Sequence, residues 1–120
     1  MAALNKDQRQ TLHVLAFMFF RMGLMERAWR IYDGLRALSS SGQPDRLALA
    51  GLAAIALDRG DGAAALGFLR QVQGSGALPS RQAVFLLLKA QALWLEGRKE
   101  ESRAALDEYL FLNSGGGESA

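Results

Sequence analysis

Residues 23–38 read GLMERAWRIYDGLRAL, and the fold turns on that stretch. Gly23 is a turn residue. Ala28 follows it by five positions, Tyr32 comes four later and Leu35 three after that. The pattern returns twice, as Gly60, Ala65, Leu69, Val72 and as Gly97, Ser102, Leu106, Tyr109. Both intervals between the glycines are 37 residues. Self-similarity at a fixed period of roughly 20–50 residues marks a stack of identical supersecondary units.

Working outward from these turns, each unit reads as a helical hairpin. The first helix runs from about residue 8 to Met22, with Asn5 or Asp7 as cap. Its Leu12, Leu15, Ala16 and Phe19 share one face. Val14, Phe17, Met18 and Phe20 are apolar as well, so it needs cover on more than one side. Its partner, about Met25–Leu38, carries Ala28, Ile31, Tyr32, Leu35 and Leu38. SSSGQPD (39–45) reads as a loop, with Pro44 suited to the first turn of the next helix, about 44–59. A short, weak helix over 63–72 follows, interrupted by Gly67. After the loop QGSGALP (73–79), Ser80 is expected to cap a helix over 81–96. The last helix, 99–112, is expected to bury Ala105, Leu106, Tyr109 and Leu112. NSGGGESA (113–120) reads as a disordered tail. No stretch alternates as a strand does. The expectation is an all-α domain over 1–112: three antiparallel helix pairs stacked as a solenoid, with repeats at about 9–42, 46–79 and 83–112.

Bulk properties exclude several function classes. The 120 residues make one domain, which can bury roughly two-thirds of its unfolded surface without a metal or disulfide. Half the residues are apolar and 22% are charged, which argues against disorder. The 14 basic and 12 acidic residues are interleaved, so no basic stripe for nucleic acid forms. There is no cysteine, hence no disulfide framework, zinc site or thiol nucleophile. MAALNKDQRQ lacks a signal pattern, and the apolar run Val14–Phe20 is far short of a membrane span. These features predict a soluble, cytoplasmic protein without cofactor, metal, nucleic acid or membrane span.

The offsets match the tetratricopeptide pattern, in which small residues let the two helices of a pair cross closely. Ala16, Gly23 and Ala28 fill those places first, then Ala53, Gly60 and Ala65, then Ala90, Gly97 and Ser102. Within that superfamily the chain resembles the small type III secretion chaperones, most closely the YscY type. The resemblance rests on Leu4, Lys6 and Gln8 (L-x-K-x-Q), on Gly23, Glu26, Arg27 and Ala28 (G-x-x-E-R-A) with Asp33 and Leu35 after them, and on the closing stretch from Lys89 to Leu112. It implies a cytoplasmic chaperone of a Gram-negative bacterium, serving protein transport and virulence. Its partner would be a YscX-type secretion component held as a heterodimer, with a possible contact to the export gate. Alternatives are a needle-subunit or translocator chaperone and a homodimeric tetratricopeptide adaptor.

In such a stack the first helices of the pairs line a concave face. Projection gives Gln10, His13, Phe17, Phe20 and Arg21 from the first, and Leu47, Ala50, Ala54, Leu57 and Asp58 from the second. The third gives Val84, Leu87, Gln91, Trp94 and Leu95. Most are apolar, which predicts a groove for a partner's amphipathic helix or extended segment, anchored by Phe17, Phe20 and Trp94. The competing readings are packing against neighbouring helices and self-association. His13, the one histidine, reads as a groove or surface residue, and Trp29 as core or a second contact. Gly60-Asp61-Gly62-Ala63-Ala64-Ala65 fits a dinucleotide fingerprint on paper, but a helix precedes it where a strand is required. No nucleophile–base pair, carboxylate dyad or metal cluster presents itself, so no enzyme is predicted.

Overall fold

The computed structural model describes residues 4–39, 45–74 and 79–113. Six helices follow one another: α1 (Lys6–Arg21), α2 (Met25–Ala37), α3 (Arg46–Asp58), α4 (Gly62–Gly74), α5 (Pro79–Leu95) and α6 (Lys99–Asn113). Among the described residues there is no strand. The pairs α1–α2, α3–α4 and α5–α6 pack as hairpins, and α2 packs on α3 as α4 packs on α5. Smaller contacts join α1 to α3 and α3 to α5, which lays the odd-numbered helices side by side. This is the expected all-α stack of tetratricopeptide-like hairpins.

The three turns share one backbone conformation. Gly23, Gly60 and Gly97 have φ of 80°, 76° and 76°, a region that side chains with a Cβ rarely enter. At each turn two amides reach back to the last carbonyls of the preceding helix. Gly23 and Leu24 donate to Phe20 and Phe19, Gly60 and Asp61 to Leu57 and Ala56, and Gly97 and Arg98 to Trp94 and Leu93. These are Schellman closures, which satisfy orphaned carbonyls and reverse the chain at the same angle three times. Ala16, Ala28, Ala53 and Ala65 are fully buried, and Ala90 and Ser102 nearly so, because the helices cross there. Ser102 keeps its polarity by donating its hydroxyl to the Ala90 carbonyl at 2.7 Å.

The helix ends correct several expectations. Asn5, rather than Asp7, caps α1, in a reciprocal box with Gln8. Asp45 caps α3 through the Ala48 amide, so the helix begins after Pro44, which lies outside the described residues. Asp61 caps α4 in the same way, and that helix runs to Gly74, past the expected end at Val72. α5 begins at Pro79, so Ser80 lies inside it rather than capping it. A proline suits that first position because its fixed φ is helical and it has no amide to leave unpaired. Asn113 closes α6, and the rest of the predicted tail, 114–120, lies outside the described residues, as does 40–44.

Two clusters form the core. One joins Ala16, Ala28, Tyr32 and Leu35 to Ala48, Leu52 and Ile55 across the first two pairs. The other joins Ala53, Ala65 and Leu69 to Ala90, Ala92 and Leu93 across the last two. Leu106, expected in the core, is 39% exposed, and Tyr109 is only half-buried. The counterparts of Leu106 (Tyr32 and Leu69) and of Tyr109 (Leu35 and Val72) are buried, with a further helix packed on each of their helices; among the described residues no helix follows α6.

Candidate functional site

The register of the repeat sets the groove. Three positions before each turn glycine stand Phe20, Leu57 and Trp94, from α1, α3 and α5. Six before it stand Phe17, Ala54 and Gln91. Because the odd-numbered helices lie side by side, equivalent positions line up as rungs across the inner face. A groove of about 670 Å³ lies there, lined by Phe20, Ala54, Leu57, Leu87, Gln91 and Trp94, with Asp58 and Leu95 at its edge. It continues onto α6 past Leu88, Ala90, Ser102 and Leu106. Trp94 is 60% exposed, and the Lys99 ammonium sits 5.4 Å from the centre of its ring, a cation–π contact that steadies the indole without covering it.

The other predicted groove residues are not gathered there. Phe17, Leu47 and Val84 are exposed, but none of them lines the groove. Ala50 is half-buried and Arg21 is exposed, both also outside it. The lining comes mostly from the turn-proximal ends of α1, α3 and α5, whereas helical projection weighted the whole length of each helix equally. The contribution of α6 through Ser102 and Leu106 was missed, because those residues fit the core pattern of the repeat. Their signal was positional: a last repeat lacks the neighbour that would bury them.

His13 departs furthest from expectation. Its side chain is 16% exposed, and Nε2 lies 3.0 and 3.1 Å from the two carboxylate oxygens of Asp45. Arg9 donates to the same carboxylate at 2.6 Å and its guanidinium reaches the Leu35 carbonyl at 3.5 Å. Ser39 completes the cluster: its hydroxyl donates to Leu35 and accepts from the Asp45 amide. Burial of the Asp45 carboxyl raises its pKa. The hydrogen bonds from His13 and the Ala48 amide, the charge of His13 and the Arg9 hydrogen bond outweigh that and hold it at about 2. The Tyr32 ring, whose hydroxyl burial pushes up in pKa, lies 6.1 Å from the imidazole. Histidine, carboxylate and serine thus come together, but each is engaged in joining α1 and α2 to the start of α3. The Ser39 proton is directed at a backbone carbonyl, not at His13.

Trp29 lies at the opposite end of the same seam. It packs edge-on against Phe68 at 5.7 Å, with the Arg59 guanidinium 4.8 Å above its ring, and Arg59 pairs with Glu26 at 2.5 Å. The Gly60–Ala65 stretch is a helix–turn–helix with α3 before it, not the strand–turn–helix of a dinucleotide site. Among the described residues no group of histidine and carboxylates is arranged to hold a metal, and no helix is long and apolar enough to cross a membrane. Comparison with protein-family models finds no match for this chain, and comparison with curated proteins finds none either.

Proposed function

We propose that the protein is a binding module whose inner groove takes an apolar face of another polypeptide, and that it serves as a chaperone for that partner. The observation that carries this reading is the groove itself. Phe20, Leu57, Leu87 and Trp94 come from three separate helices and make one apolar surface, with Asp58, Gln91 and Ser102 as its polar members. Aromatic residues beside solvent are where binding energy concentrates, and an apolar groove of this kind fits the i, i+3, i+4 anchors of an amphipathic helix. In its specific form the proposal is a type III secretion chaperone of the YscY type, holding a YscX-type component as a heterodimer. That form is supported by the motifs around Gly23 and in Lys89–Leu112.

The test is co-expression with a candidate partner, or capture from a native host, using wild type and the double variant Phe20→Asp/Trp94→Ala. The expected result is a stable 1:1 complex for wild type, and at least tenfold weaker capture for the variant at unchanged helicity, as loss of two anchors implies. Equal capture by both would rule the groove out as the binding surface.

A further inference from the structure

The two ends of the stack carry the two halves of a contact that the chain already makes internally. In the α2–α3 seam, Tyr32 of α2 is covered by α3 through Gly51, Leu52 and Ile55, and the last two are fully buried. In the α4–α5 seam, Leu69 of α4 is covered by α5 through Leu88 and Ala92. One period before Gly51, Leu52 and Ile55 stand Val14, Leu15 and Met18 of α1, which are 54%, 38% and 52% exposed. They line a shallow trough of about 560 Å³ on the outer face of α1. One period after Leu69 stands Leu106 of α6, also exposed. Among the described elements α6 packs on α5 alone, and α1 packs only on α2 and α3. Repeat stacks normally end in caps with polar outer faces; among the described residues the outer helices here both expose large apolar side chains.

We propose that these two faces bind each other between molecules: α1 of one copy seats on α6 of the next, repeating the α2–α3 seam and extending the stack head to tail. The contact continues an interface formed twice within the chain, with the same register on both sides. A heterologous contact of this kind does not close on itself in a pair, so the product grows with concentration. The head face lies outside the groove proposed for a partner, while the tail shares Leu106 with it; Leu110, one turn further along α6, lies outside that groove.

The test uses the 120-residue chain alone, by sedimentation velocity over a concentration series. Wild type is expected to pass beyond the dimer as concentration rises. Val14→Glu blocks the head and Leu106→Glu the tail, and each variant alone should be monomeric; both sites are exposed, and far-UV circular dichroism checks that both fold. Mixed in equal amounts, the free tail of the first meets the free head of the second, giving a 1:1 dimer that grows no further. Met18→Glu and Leu110→Glu should reproduce the two phenotypes. A wild type that stays monomeric throughout, a variant that still dimerises alone, or a mixture that forms no dimer would each overturn the proposal. No partner protein is present, and Val14, Met18 and Leu110 lie outside the groove, so the variants at these three sites are read apart from whatever the groove binds.

Discussion

The two internal seams do the same job with different chemistry. Where α2 meets α3, a large ring fills the space left by a missing side chain: a Cβ on Gly51 would lie 2.5 Å from the Tyr32 ring. Where α4 meets α5, two medium side chains, Leu69 and Leu88, occupy the same pair of places. Close approach has moved to the turn end, where a Cβ on Gly62 would meet the Ala92 carbonyl at 2.7 Å. Eight positions before the turn the first seam has Leu52, fully buried, and the second has Lys89, half-buried beside Arg70, Arg98 and Glu101. The first seam is also fastened at its far end by Arg9, His13 and Asp45. A repeat therefore keeps turn geometry and helix packing rather than particular contacts, because close packing constrains that a space be filled more than which side fills it.

Three measurements break or sharpen that contrast. The largest effect is expected at the position where the seams differ most. Leu52→Ala should cost about 3 kcal/mol in urea unfolding, since it empties a fully buried site. Lys89→Ala, at the same register, should change stability by under about 1 kcal/mol. Equal losses would show the two seams to be energetically alike.

Next comes the Asp45 latch. The folded pKa of about 2 lies below the ordinary 3.8, so the contribution is fully present above about pH 4 and is lost as pH falls through 2. Across that window wild type should lose about 2 kcal/mol through this group, on the scale of 1.4 kcal/mol per pKa unit. Asp45→Asn should remove that part of the acid slope while lowering stability at neutral pH by a similar amount. An unchanged slope would mean that the cluster contributes no coupling between the first hairpin and the second.

The smallest net effect is a rescue. Gly51→Ala should cost about 1–3 kcal/mol by driving a methyl into Tyr32. Combined with Tyr32→Leu, which makes this seam resemble the other, it should cost less than the sum of the single changes, with a coupling of at least about 0.5 kcal/mol. Strict additivity would mean that the two residues do not compete for one space.

Much of this was legible in residue order. The positive-φ glycines recur at one interval, and each is flanked by small residues at constant offsets, because both requirements act within a single hairpin. Apolar periodicity marked the helices, and Phe20, Leu57 and Trp94 fell on one face by the same arithmetic. What escaped was whatever depended on a neighbour far along the chain. Asp45 read as the end of a loop, and 32 residues separate it from His13. Trp29 gave no sign of which partner it would find. Leu106 matched a core position in every local respect, yet its burial needs a helix that the described residues do not provide.

Residue order by itself determined that this chain makes three like hairpins and stacks them, since turn conformation and helical periodicity are short-range properties. Only the tertiary structure decided how each seam is filled, that His13 fastens two hairpins instead of facing the groove, and that among the described residues nothing covers the outer faces of α1 and α6. Those outcomes depend on which surfaces meet, and packing settles that in three dimensions, where local sequence carries no record of the neighbour.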